Sequence, residues 1–415
     1  MLFSQDQRFT CAHCGRCCRR TTVPITAGEA AAYRKAGAAR WFREGVDDTS
    51  ATSAPVRDPF ELIPGHAPLL RIRKRPDGAC GFLSPEGLCR IHESMGADRK
   101  PLACRMFPFR FHSTDEGDVA TVSFACPTVI ANEGAALPSQ ARELRVLHAA
   151  WARALPEPVS TVELVHGYTL SGAVLQGVRG VLRGLIDRAG PDGRPDLSVN
   201  LRRIAAFLED LSRQRVLRLE PDAFSAYFEL MSRHALTNEK PPPTRRASRL
   251  ARLLFRGFLL AAASVQLRLD AVLARRRLAL RIAHVRLLAH VHGLGPGAAG
   301  YDLGAASRVH HGLDDEAVHA AAHRYLQVSF DTLGTGRRPI VEEVSMTVAT
   351  LNAACVLARM HAARSGKPVV DTESFAQGLL ESADLNHADD GGQMSTFLTA
   401  LSGGLEALYL FPAMP

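Results

Sequence analysis

Cys11-Ala12-His13-Cys14-Gly15-Arg16-Cys17-Cys18 sets four cysteines in one short run, and its reading decides what the first third of the chain is. Thiolate sulfur is the soft ligand that holds zinc and iron–sulfur clusters, and two-residue gaps let one tight loop aim several sulfurs at one centre. Arg16, Arg19 and Arg20 surround the loop. Positive charge there would stabilise thiolates, and a solvated basic edge explains it equally well.

Working outward, Cys80, Cys89, Cys104 and Cys126 follow, while Cys355 lies far away in an apolar helical stretch and reads as a small core residue. Cys80-Gly81-Phe82-Leu83-Ser84-Pro85-Glu86-Gly87-Leu88-Cys89 reads as a hairpin. Pro85 suits the first central position of its turn and Gly87 closes it, which brings Cys80 towards Cys89. Cys104 sits in Lys100-Pro101-Leu102-Ala103-Cys104-Arg105-Met106-Phe107-Pro108-Phe109, and Cys126-Pro127 closes an expected strand over Val119–Ala125. Loop, hairpin, proline-bounded segment and strand end would each deliver thiols that a metal staples together.

Eight clustered cysteines can also pair as four disulfides. The start of the sequence, Met1 to Thr10, shows no apolar signal-peptide core, and no continuous apolar window marks a transmembrane segment. A cytoplasmic, reducing setting is therefore expected, where free and metal-bound thiols are the normal state. Adjacent Cys17 and Cys18 suit two different partners better than each other.

The remainder is ordinary globular sequence. A chain of 415 residues predicts two or three domains, and 46% apolar with 22% charged residues excludes wholesale disorder. The polar, small-residue break near residues 130–137 divides a cysteine-rich metal-binding domain, 1–135, from an α-helical domain, 136–415. Helical patterning predicts helices near 139–155, 162–189, 197–217, 222–235, 340–365, 372–385 and 394–411. The run Pro241-Pro242-Pro243 suggests a subdivision near 237–244. The expected fold class is α+β: a small, irregular cysteine-rich domain followed by a mostly α-helical one.

Three features of the helical half invite sharper readings. The stretch Arg245 to Arg286 has Asp270 as its only acid, and Arg245, Arg249, Arg252 and Arg256 share a helix face. That stripe could meet nucleic acid, anionic lipid or an acidic protein, but a solvent-facing helix side is favoured because no aromatic interleaving accompanies it. Gly293-Leu294-Gly295-Pro296-Gly297 follows helical sequence rather than a strand and reads as a helix-to-helix loop. Glu316, His319 and His323 fall on one helix face like half of a di-metal carboxylate site, yet the second Glu-x2-His is missing, so interhelix histidines are favoured.

The ordered set Cys11-x2-Cys14-x2-Cys17-Cys18, Cys80 with Phe82-Leu83, Cys89-Arg90-Ile91, Lys100-Pro101-x2-Cys104-Arg105-x-Phe107-Pro108 and Cys126-Pro127 resembles the YkgJ-type cysteine-cluster family. Those proteins are described as zinc- or iron-chelating domains and often as Fe-S proteins. The resemblance covers roughly residues 8 to 130. It includes Thr26-Ala27-Gly28-Glu29, a capping box where the family places a helix, and departs at His92, where many members carry Tyr. It implies Cys11, Cys14, Cys17, Cys18, Cys80, Cys89, Cys104 and Cys126 as metal ligands.

Longer members with a helical second half look like flagellin lysine-N-methylase, and this chain has a similar plan. The resemblance implies protein-lysine N-methyltransferase activity with S-adenosylmethionine and a protein substrate; an Fe-S oxidoreductase is a further enzyme reading. The alternative is a non-enzymatic metal-binding module whose helical half docks a protein partner. For the metal, the ferredoxin-like spacing of Cys11, Cys14 and Cys17, with the Cys-Pro of Cys126-Pro127, favours an iron–sulfur cluster, 4Fe-4S in type. Zinc held by four cysteines, or three and a histidine, fits the same spacing. Eight thiols could fill two four-cysteine sites, and His13, His92 or His112 could replace a thiol.

Overall fold

A computed structural model describes residues 1–3, 6–20, 23–44, 58–63, 69–75, 78–114, 117–153, 161–243, 303–335, 338–387 and 411. The basic stretch 245–286, the glycine-rich run 293–300 and, apart from Phe411, the helix expected over 394–411 lie outside the described residues.

In the first sheet, β1 (Leu2–Phe3) runs parallel to β6 (Gly117–Val122), which pairs antiparallel with β5 (Phe109–Thr114) in the register Phe109↔Val122 to Thr114↔Gly117. Alternation in β5 buries Phe109 and Phe111 on one face, as a half-covered strand requires. A second sheet has the order β2 (Pro24–Ile25), β4 (Leu70–Ile72), β3 (Phe60–Leu62). On it Glu61 pairs with Arg71 at 2.7 Å and with Arg73.

Short helices connect these strands: α1 (Arg16–Arg20), α2 (Ala27–Lys35), α3 (Ala38–Glu44), α4 (Arg90–Met95), α5 (Leu102–Met106) and α6 (Pro127–Ala131). The capping box opens α2 as expected: Thr26 Oγ1 accepts Glu29 N–H at 3.1 Å, and Glu29 Oε2 accepts Thr26 N–H at 2.8 Å. The strand expected to reach Ala125 stops at Val122. Cys126 instead takes the N-cap position of α6, because Pro127 needs no N–H at the first helical position.

From α7 (Ala141–Ala152) onward the chain is mostly helical. The helix expected over 162–189 begins with a hairpin, β7 (Glu163–Val165) and β8 (Tyr168–Thr169), turned at Gly167 with φ +79°. Only then does α8 (Gly172–Ile186) start, with Ser171 Oγ accepting Val174 N–H. Helices α9 (Leu197–Leu211), α10 (Pro221–Thr237), α11 (Leu303–Ala306), α12 (Glu316–Asp331), α13 (Ile340–Arg364) and α14 (Thr372–His387) follow. Asp196 and Asp315 cap α9 and α12. Among the described residues only α13 is long and apolar enough to cross a membrane, and it is largely buried by its neighbours. Cys355 lies in it, 2% exposed, as a core residue.

Two clusters of buried side chains result. The larger begins at Phe9, Phe109, Phe111, Phe124 and Cys126 and continues through the helices to Phe375 and Leu379. The smaller joins Ile25, Tyr33, Phe60, Ile72, Phe82 and Ile91, with Cys80 buried in it and Cys18, Cys89 and Cys104 packed against it. The cysteine motif therefore occupies the seam between the two clusters.

Candidate metal centre

Each thiol is placed by an identifiable local device. Residues 6–10, which lead into Cys11, are strapped to the segment after α6: Phe9 N–H donates to Ala135 O at 2.9 Å and Leu137 N–H to Gln7 O at 3.0 Å. Asn132 accepts from Arg8 N–H and donates to Asp6 O, both at 2.9 Å. Cys11 and Cys14 thus emerge beside Cys126. Gly134 permits the close approach, since a Cβ there would meet Thr10 N at 2.4 Å.

Cys17 and Cys18 belong to α1, which is tied to the other side of the seam. Cys80 N–H donates to Cys18 O at 2.7 Å, and Lys74 Nζ donates to Arg19 O at 3.2 Å. The expected turn forms between Cys80 and Cys89: Ser84 N–H donates to Leu88 O at 2.8 Å, Gly87 N–H to Ser84 O at 3.0 Å, and Leu83 pairs with Cys89 as an isolated bridge. Cys104 rides on α5, whose first turn is held by α2. Glu29 Oε1 accepts Leu102 N–H at 2.9 Å, and Tyr33 Oη donates to Arg99 O at 2.9 Å.

All eight motif cysteines face two adjoining cavities. The larger, about 520 Å³, is lined by Cys11, Cys14, Cys17, Cys18, Cys89, Cys104 and Cys126. The smaller, about 110 Å³, is lined by Cys17, Cys18, Cys80, Cys89 and Cys104. Cys17 and Cys18 border both. Every cysteine is a free thiol, Cys11 and Cys14 exposed and Cys80 and Cys126 buried. The thiols converge without forming a finished shell: among the described residues no three His, Cys, Asp or Glu side chains stand close enough to hold one ion. Rotation about a single Cα–Cβ bond is the adjustment each cysteine has available.

The electrostatics of the thiols reflect crowding and burial. A hydrogen bond with the Cys18 side chain, followed by burial and the Cys18 charge, raises the Cys17 pKa well above the ordinary thiol range. Burial raises Cys80 to about 11, with the neighbouring Cys89 adding to the effect. Cys104 is pushed up by burial and then by Cys80 and Cys89, and Cys126 by burial. Lys100 lines both cavities and opposes the rise at Cys17 and Cys104. Thiols held protonated in this way ionise when a soft cation takes the place of the proton. The donor set and its burial fit zinc or iron.

His13 and His92 line the larger cavity with ring centroids 6.2 Å apart, so both remain within the site. His112 does not. The alternation of β5 turns it away from the buried Phe109 and Phe111, and its Nδ1 lies 2.9 Å from Thr335 Oγ1. Arg16 and Arg105 line the larger cavity, as do Phe107 and Phe109. On α12, His319 donates to Pro195 O at 2.7 Å and His323 meets Asp187 at 2.8 Å, the interhelix roles expected of them. Glu29, Tyr33 and Lys74 were not legible as site residues. Glu29 showed only as a capping residue, and Tyr33 and Lys74 act through backbone contacts distant in sequence.

A thiol cluster that draws on several separate segments around a seam defines a cysteine-cluster, metal-chelating type of domain. Residues 10–127 match the family described as “CxxCxxCC: putative zinc- or iron-chelating domain”. No curated protein and no solved structure matches the chain, and the likeness to flagellin lysine-N-methylase has no support beyond the shared order of parts.

Proposed function

We propose that Cys11, Cys14, Cys17, Cys18, Cys80, Cys89, Cys104 and Cys126 are the ligands of a bound metal, and that the metal is iron in iron–sulfur form. The observation that carries the reading is the meeting of all eight thiols, from segments up to 115 residues apart (126 − 11), on two adjoining cavities. The ferredoxin-like spacing of the first three favours iron over zinc. Bound metal would supply soft-ligand cross-links between the two buried clusters, and in iron–sulfur form a one-electron redox couple as well. The chain's own part is to present thiols, hold Lys100 against them and shield the inner ones from water. A reducing, cytoplasmic setting belongs to this reading.

Anaerobic purification with iron, acid-labile sulfide and zinc measured per chain tests it. Iron with matching sulfide and a visible band bleached by air is the expected result. Zinc alone would replace iron–sulfur with a structural staple, and a chain free of both would overturn the metal. Modification of a protein partner by lysine N-methylation is a finer possibility supported by plan alone; failure to bind S-adenosylmethionine would end it.

A further inference from the structure

Resting on that metal-binding reading, we infer that the eight thiols form two separate centres rather than one, an outer centre on Cys11, Cys14 and Cys126 and an inner centre on Cys80, Cys89 and Cys104, each completed by one thiol of the Cys17–Cys18 pair.

Three independent features divide the thiols this way. The first is the cavities: Cys11, Cys14 and Cys126 line only the larger, Cys80 lines only the smaller, and Cys17 and Cys18 line both. Cys89 and Cys104 also touch both, so packing decides their side. The second is packing, since Cys80, Cys89 and Cys104 belong to the smaller hydrophobic cluster whereas Cys126 belongs to the larger. The third is the backbone. The strap from residues 6–10 to 132–137 fixes the Cys11 loop to the Cys126 side, and the bond from Cys80 N–H to Cys18 O fixes α1 to the hairpin side.

A tetrathiolate site needs four sulfurs around one centre, and each side has three of its own. Cys17 and Cys18 lie side by side, their side chains hydrogen-bonded to each other, and border both cavities, so the pair stands at the junction where one thiol can turn to each centre. The two centres differ in access as well. Cys11 and Cys14 are exposed, while Cys80 is buried and Cys89 and Cys104 are partly covered, so the outer metal should exchange and the inner one should persist.

Cobalt(II) is a direct probe, because thiolate coordination gives it an absorption band that reports each tetrathiolate site. The full chain, stripped of its metal and kept reduced, should take up about two cobalt ions per chain and release them to a chelator in two phases, a fast outer and a slow inner one. A Cys11→Ser, Cys14→Ser double variant should keep about half the band and lose the fast phase. Uptake of a single ion, release in one phase, or a double variant with all or none of the wild-type band would overturn the division. Those results leave the metal-binding reading intact, whereas a chain that binds neither cobalt, zinc nor iron would remove both. The release experiment on the unaltered chain needs no variant to fold.

Discussion

The two buried clusters are closed by different means. In the larger, α13 is buried along most of its length and crosses α14 so tightly that a Cβ on Gly378 would lie 2.3 Å from Ala354 O. Apolar area alone can stabilise such an arrangement. The smaller cluster has little comparable area: two- and three-residue strands, helices of a turn or two, and a perimeter of thiols. Folds of that size and irregularity commonly need a covalent or metal cross-link. The contrast sets Cys80, Cys89 and Cys104 on the cluster least able to hold itself together, and Cys126 on the edge of the one that needs no such help.

Removing the metal should break the comparison most visibly. Structural zinc sites contribute on the order of 10 kcal/mol to the folding they organise. Chelation under reducing conditions should therefore leave α8, α12 and α13 protected while amide exchange in residues 78–106 rises towards the unfolded rate. Hydrogen exchange with mass spectrometry measures both halves at once. Equal protection of residues 78–106 with and without metal would mean that the smaller cluster stands unaided.

Acid should act on the junction between β5 and the helical half. Burial, with Arg110 and Arg179 nearby, lowers the His112 pKa from 6.5 to about 4. Thr335 Oγ1 donates to Thr332 O at 2.7 Å, so it accepts from His112 Nδ1–H, a bond the neutral ring can make. The unfolded chain then binds more protons than the folded one between about pH 4 and 6.5, and stability rises with pH across that window. The full contribution is present above about pH 6.5 and is lost progressively on acidification, by at most about 3 kcal/mol. Urea unfolding at several pH values should show this slope in the wild type and a flatter one in His112→Asn. An unchanged slope would place the linkage elsewhere.

Substituting Gly378 tests the opposite side of the contrast. An added methyl meets backbone on α13 rather than a flexible side-chain end, since Ala358 N would lie 2.7 Å away in addition to Ala354 O. Gly378→Ala should therefore destabilise the helical half by about 2 kcal/mol despite the better helix propensity of alanine. Metal content per folded chain should be unaffected. Thermal unfolding with metal analysis of the soluble fraction checks both, and a gain in stability would show that the helices can separate at little cost.

The two halves were unequally legible in sequence. Helices with an apolar face and a polar cap, such as α9 behind Asp196 and α12 behind Asp315, follow from periodicity and local hydrogen bonding. The hairpin ahead of α8 did not, because Thr161-Val162-Glu163-Leu164-Val165 has apolar residues that suit either period and only the left-handed Gly167 marks the turn. In the cysteine half the thiols themselves were evident from spacing and from their resemblance to a cysteine-cluster family. Their allotment to two sides of a seam was not, since it depends on straps such as Asn132 to Asp6 and Arg8 that join residues more than 100 positions apart. His112 looked like a spare ligand for the same reason: sequence places it near Cys104 and Cys126, and only the facing of β5 turns it away.

Glu29 offers the finest test, because it joins local stability to thiol placement. Its Oε2 serves Thr26 within the capping box, and its Oε1 accepts Leu102 N–H at the start of the helix bearing Cys104. Alanine removes both acceptors. Glutamine keeps one oxygen and turns an NH2 towards whichever N–H it fails to satisfy. Loss of the capping contacts should cost about 1 kcal/mol in Glu29→Ala. The larger signature should be at the metal, because groups that orient ligands typically change affinity by about 10-fold or more. Chelator competition should rank wild type above Glu29→Gln and Glu29→Ala last, with the loss confined to the slowly released metal on the Cys104 side. If both variants instead lost only the rapidly released metal, Cys104 would belong with the exposed Cys11 and Cys14, and the seam would divide the thiols along a different line.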